Sequence, residues 1–131
     1  RSRGAHEAVS LVRGARGGDL GIKVGIALAV HESAQTLAAF EGTYDYVQVM
    51  GIEREGFQGQ PFDTHDVLPL IASVRKTWPD LDIQVDGAVR LENARALVAA
   101  GATRLIVGSA IFGADTPNAA IQEMYNTVND R

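Results

Sequence analysis

The sequence predicts an α/β fold, and two observations predict it while a third excludes a membrane-spanning helix. Four short apolar runs, each bounded by glycine or polar residues, recur along the chain. Apolar residues at helical spacing fill the stretches between and after them. The longest strongly apolar run, Ile22 to Val30, is interrupted by Lys23 and is too short to span a bilayer. Strands that alternate with helices run parallel and are joined by helical crossovers.

The elements follow in order. Residues 5–16 read as a helix with Ala5, Val9, Val12 and Ala15 inward, weakened by Gly14. Residues 22–29 read as a buried strand, and 33–40 as a short helix. Residues 44–50 form a second strand, richer in β-formers. The spacing of Val67, Leu70, Ile71, Val74 and Trp78 predicts a helix over 63–78, opened by Asp63 or Thr64 and carrying Pro69 near its first turns. Residues 82–86 are a third strand. Residues 91–100 are a helix that Gly101 ends. Residues 104–107 are the fourth strand. Thr116 and Pro117 read as N-cap and first residue of a last helix, with Ala120, Ile121, Met124 and Val128 inward.

Two architectures share this order: an open doubly wound sheet and a (β/α) barrel. A full eight-stranded barrel needs at least about 200 residues. Four βα units are therefore at most half of one, and residues 1–131 are read as a single half-barrel domain. The first residue is Arg1, so a processed terminus or a piece of a longer chain is expected. An open half-barrel leaves two sheet edges and an inner face uncovered. Val24, Ile26 or their alternates, with Val47 and Val49, are expected on that face, and self-association into a homo-oligomer follows.

Composition narrows the function. Of the 131 residues, 46% are apolar and 21% charged, a globular mix. The formal charge of −4 gives no general pull toward nucleic acid or an anionic membrane, so neither is expected as a partner. The absence of cysteine excludes disulfides, thiolate metal sites and a thiol nucleophile. No signal-peptide pattern opens the sequence, and a cytoplasmic location is expected.

Three places after strands could carry chemistry: Gly56-Phe57-Gln58-Gly59-Gln60, Asp86-Gly87-Ala88 and Gly108-Ser109-Ala110. Glycine permits close backbone approach, and exposed N–H groups attract anions. Together the three suggest a phosphate cradle built from backbone; singly, each is most simply a turn. Asp86 ends an apolar strand, where a barrel places catalytic groups. The same carboxylate could instead cap the next helix or pair with Arg90. His31 ends the first strand and is expected on the side of Asp86, with a structural hydrogen bond as the simpler role. Met50 ends the second strand, as core packing or as a ligand contact.

Read in order, these motifs resemble the ribulose-phosphate 3-epimerase family. The likeness rests on Val47-Gln48-Val49-Met50, Gly56 to Phe62, Ile83 to Gly87 and Val107 to Gly113, and covers roughly residues 19 to 130. Gly21 to Leu28 is similar to that family's fifth strand. The resemblance implies the C-terminal half of a (β/α)8 TIM barrel. It implies an isomerase of the pentose phosphate pathway that interconverts D-ribulose 5-phosphate and D-xylulose 5-phosphate by metal-assisted proton transfer between two aspartates at C3. Asp86 matches the second aspartate, as catalytic group and as ligand of a divalent metal (Zn, Fe, Mn or Co). Met50, Gly56, Phe57, Gln58, Gly59, Gly87, Ala88, Gly108 and Ser109 match the substrate and phosphate contacts.

The sequence also departs from the pattern. The family's Asn-Pro-Gly-Phe-Gly-Gly-Gln is here Glu53 to Gln60, one residue longer, without the proline and with Gln58 for a glycine. The second glycine after the aspartate is Ala88, and Ala29 to Ser33 replaces Asn-Pro-Gly-Thr. Glu53 and Glu55 bring negative charge near a dianion. The His-x-Asp pair, the other histidine and the first aspartate of the family have no counterpart in this sequence. The chain alone is therefore expected to be inactive as an epimerase. A non-catalytic phosphate-binding or self-associating half-barrel, and a related phosphosugar epimerase or decarboxylase, are the alternatives.

Overall fold

The strands Tyr46–Met50 (β2) and Asp82–Asp86 (β3) form the centre of the sheet because both carry β-branched residues at alternate positions and are covered by helices. A computed structural model describes residues 21–52 and 64–130. The helix expected at 5–16, the stretch from Glu53 to Gln60 and the helix start expected at Asp63 lie outside the described residues.

The order among described residues is β1 (Gly25–Leu28), α1 (Gln35–Ala38), β2, α2 (Thr64–Thr77), β3, α3 (Leu91–Ala100), β4 (Arg104–Ile106), α4 (Ser109–Phe112) and α5 (Pro117–Asn129). The four strands lie in sequence order and every pair is parallel. Gly25 to Leu28 pair with Tyr46 to Val49, Tyr46 to Met50 with Asp82 to Asp86, and Gln84 to Asp86 with Arg104 to Ile106. This is the arrangement of four βα units that the sequence predicts.

The core lies between the sheet and its helices. Leu28, Val47, Val49, Ile83 and Val85 point toward the helical layer and are fully buried. Val67, Ile71 and Val74 of α2, and Leu97 of α3, meet them and are fully buried as well. Each such side chain contributes roughly 1.5–3 kcal/mol of burial. Pro69 falls in the second turn of α2, where its missing N–H leaves one carbonyl of the opening turn without its helical partner.

Gly101 ends α3 as the sequence predicts, at φ 125, and its N–H bonds back to the carbonyls of Leu97 and Val98. The same glycine makes room for Arg75, whose Cβ would lie 2.8 Å from a Cβ at position 101. Pro117 opens α5 after Thr116.

Some expectations fail. Val47 and Val49 are not on the open inner face; they and Ile26 belong to the helix-covered core. Side chains alternate along a strand, so the inner face carries the intervening set Tyr46, Gln48 and Met50 with Asp82, Gln84 and Asp86. That face is thus largely polar. The first strand is shorter than expected, because pairing begins only at Gly25, and helix 33–40 shrinks to four residues. Ile121 shares the inner side of α5 with Met124, as expected, but is incompletely covered: it is 49% exposed, while Met124 is buried. Ile121 and Tyr125 line a cavity of about 300 Å³ with Val98, Leu105, Val107 and Met124, where α3 and α5 meet β4 and the residue after it.

Candidate functional site

The inner face is organised in rows by the register. Ala27, Gln48, Gln84 and Arg104 stand side by side, and Met50, Asp86 and Ile106 form the next row toward the C-terminal ends. At the opposite end the Tyr46 ring occupies the space that a Cβ on Gly25 would need. Period-two alternation in β3 places Asp86 on this face, and the end of the strand leaves it half-buried.

The Asp86 carboxylate accepts a hydrogen bond from Gln48 Nε2 at 3.5 Å. The same nitrogen lies 3.4 Å from Met50 Sδ. The Asp86 carbonyl accepts from the Gly51 N–H at 2.7 Å, which ties the ends of β2 and β3 together. Asp86 does not cap α3. The N-cap is Arg90, and its N–H donates to Asn93 Oδ1 at 2.9 Å.

The turn after Asp86 is left-handed at two successive residues, Gly87 at φ 109 and Ala88 at φ 52. Gly87 must lack a side chain twice over. Its φ disfavours an L-residue, and a Cβ there would sit 3.1 Å from Ile52 Cγ1. Ala88 stands in the left-handed region with its Cβ, a strained placement. Gly108 precedes α4 and accepts from the N–H groups of Ile111 and Phe112, both at 3.0 Å. Among the described residues, a Cβ at Gly108 would meet nothing within 4 Å.

The structure thus brings Met50, Asp86, Gly87, Ala88, Gly108 and Ser109 to the C-terminal ends of three adjacent strands. Gly56, Phe57, Gln58 and Gly59 lie outside the described residues. His31 is not gathered with them. It lines a separate open cavity of about 660 Å³ with Glu32, Ser33, His65 and Asp66. Among the described residues no group of three or more His, Asp or Glu could hold a metal ion, and Asp86 is a single carboxylate. The described residues therefore do not fit the divalent metal that the resemblance implies.

Gln48 and Gln84 are neighbours in the row leading to Asp86 that the sequence reading missed. A carboxamide inside an apolar strand reads as an interruption. The signal was their spacing, two residues before Met50 and two before Asp86, which puts all four on one face.

Among the described residues one titration is displaced. Burial, and then the nearby Glu41 carboxylate, push the Tyr44 hydroxyl above its ordinary value of 10.0. That hydroxyl is buried with no hydrogen-bond partner among the described residues.

The architecture and the sequence have known counterparts. A solved 3-hexulose-6-phosphate synthase matches with a TM-score of 0.68 at 23% identity, over 93% of this chain and 56% of that one, a likeness of fold. The ribulose-phosphate 3-epimerase of Bacillus subtilis is 35% identical over 124 residues, 91% of this chain and 54% of the relative. That of Schizosaccharomyces pombe is 34% identical, over 86% of this chain and 49% of the relative. The chain spans about half the length of these curated relatives. The family model described as the ribulose-phosphate 3 epimerase family matches residues 5–112. On that match, which takes in most of the chain, the protein belongs to the ribulose-phosphate 3-epimerase family.

Proposed function

We propose that residues 1–131 are one half of a phosphosugar-binding barrel, and that Asp86 carries one of the two proton transfers of a pentulose-phosphate epimerisation. The carrying observation is the place of Asp86 at the inner C-terminal end of β3, with the left-handed Gly87-Ala88 turn beside it. In the proposed reaction the Asp86 carboxylate takes the C3 proton of D-ribulose 5-phosphate and leaves an enediolate. An acid on the opposite face gives C3 a proton from the other side, which yields D-xylulose 5-phosphate with no net change in protons or electrons. Gly87, Ala88, Gly108 and Ser109 would hold the phosphate by backbone N–H groups, with Gly56, Phe57, Gln58 and Gly59 completing the cradle. Met50 would face the sugar.

Asp86 serves one face only, and inversion needs acids on both. The isolated chain is accordingly an incomplete epimerase. The test is an assay of the purified chain with D-ribulose 5-phosphate, alone and joined to the N-terminal half of the Bacillus subtilis relative. The expected result is no turnover alone and turnover in the joined protein, lost in Asp86→Asn. A metal-dependent rate from the chain alone would refute the incompleteness. An active Asp86→Asn joined protein would refute the role of Asp86.

A second reading, self-association, is favoured by the apolar side chains left uncovered along one edge. Ile106, Phe112, Ile121 and Tyr125 are 40%, 81%, 49% and 62% exposed. Sedimentation of the purified chain tests it: a dimer supports it and a monomer at micromolar concentration refutes it.

A further inference from the structure

A row of hydrogen-bonded side chains crosses the inner face from β4 to Asp86. Arg104 Nη1 donates to Gln84 Oε1 at 3.3 Å. Gln84 Nε2 donates to Gln48 Oε1 at 2.5 Å. Gln48 Nε2 donates to Asp86 Oδ2 at 3.5 Å and to Met50 Sδ at 3.4 Å.

The ends of this row fix its middle. A guanidinium only donates, and an ionised carboxylate only accepts. Each carboxamide must therefore turn its oxygen toward Arg104 and its nitrogen toward Asp86. Turning either one over would set nitrogen against nitrogen on one side and oxygen against oxygen on the other. The row is a one-way chain of donors from a cation to an anion.

Position makes the chain directional in space as well. Arg104 is the first residue of β4 and is exposed. Gln84 is 9% exposed, in mid-strand between two other strands. A buried carboxamide without partners is destabilising, so Gln84 is held to this geometry from both sides. Gln48 inherits that order and passes it to two groups at once, the Asp86 carboxylate and the Met50 thioether. Both belong to the row that a ligand at the C-terminal ends would meet. Among the described residues, only Oδ2 of Asp86 is engaged by Gln48.

We propose that Gln48 is a positioning residue for Asp86, held in turn by Gln84 and Arg104. The proposal rests on the reading of Asp86 as a proton-transfer group. A carboxylate at a strand end is free to rotate about two bonds. One anchored oxygen selects the rotamer that leaves the other oxygen facing the reacting carbon.

The test is NMR of the isotopically labelled 131-residue chain. It reads the Asp86 α–β couplings and the side-chain NH2 signals of both glutamines. The expected wild-type pattern is a single Asp86 rotamer, with Gln48 NH2 signals that shift in Asp86→Ala. Gln48→Leu is expected to average the couplings. Arg104→Met alters an exposed side chain, so it carries the test even if Gln48→Leu does not fold. It is expected to shift the NH2 signals of Gln48, two links away, and Arg104→Lys to restore them in part. Averaged couplings in the wild type, unchanged couplings in Gln48→Leu, or an Arg104→Met effect confined to Gln84 would overturn the proposal. Turnover of D-ribulose 5-phosphate by the joined protein separates the two claims: a single Asp86 rotamer that depends on Gln48, together with an active Asp86→Asn joined protein, supports the positioning and overturns the proton-transfer reading alone.

Discussion

Asn93 donates from Nδ2 to the carbonyl of Ala88 at 3.0 Å, while its Oδ1 accepts from the Arg90 N–H. One side chain of α3 thus spans the turn that follows Asp86. It holds Ala88 in a left-handed conformation that an L-residue enters at a cost of about 1–2 kcal/mol. Ala88→Gly is expected to raise stability by about 1 kcal/mol, read as a higher urea midpoint at unchanged slope. Gly87→Ala is expected to lower it, because φ and the Ile52 contact both oppose a Cβ there.

Arg75 joins the C-terminal ends of α2 and α3. Its Nε and Nη2 donate to the Gly101 carbonyl at 3.2 and 2.8 Å, and its Nη1 to the Pro79 carbonyl at 2.6 Å. Arg75→Met should cost about 1.5–3 kcal/mol, the range for bonds from a charged group. Arg75→Lys should recover only part, since an ammonium lacks the planar fork. Thermal unfolding of the three proteins checks both statements.

Tyr44 gives the fold an alkaline limit. Its hydroxyl is pushed above 10.0 in the folded chain by burial and by Glu41. The folded state therefore holds that proton more tightly than the unfolded one. This contribution is fully present below the ordinary tyrosine value and is lost as pH rises through the folded value. Stability is expected to fall above about pH 10 in the wild type and to fall less in Tyr44→Phe. Since the hydroxyl has no partner among the described residues, Tyr44→Phe should also match or exceed wild-type stability at pH 7.

Asp86→Asn keeps the shape of the side chain and removes the acid. In the protein joined to a relative's N-terminal half, turnover is expected to fall at least about 10²–10⁴-fold, the range for a general acid–base group. The unfolding temperature should stay within a few degrees. A loss of turnover accompanied by unfolding would instead mark Asp86 as a structural residue.

Much of this was legible in the sequence because the buried pattern and the chain punctuation agree. Val67, Leu70, Ile71 and Val74 declare the inner face of α2, and Gly101 marks the last turn of α3 at a position where only glycine is comfortable. The sequence set Asp86 at the end of the third strand, and the structure finds it there. The shortening of β1 was not legible, because it depends on where Tyr46 begins to pair with Gly25, a property of two distant segments. The same holds for the Gln48–Gln84 contact. Spacing puts each glutamine on the right face, but only the register sets one beside the other. The inner face was misjudged because hydrophobicity was assigned to strands as wholes. The valines of β2 all turn toward α2, and what remains is polar.

That polarity makes two surfaces of this protein thermally unlike. A partner laid over Gln48 and Arg104 would dehydrate a carboxamide and a guanidinium, a process that raises heat capacity. A partner laid along Ile121 and Tyr125 would cover apolar surface, which lowers it. Cooling weakens the second kind of joint and spares the first. Whatever closes over this protein should let go in the cold along α5 first.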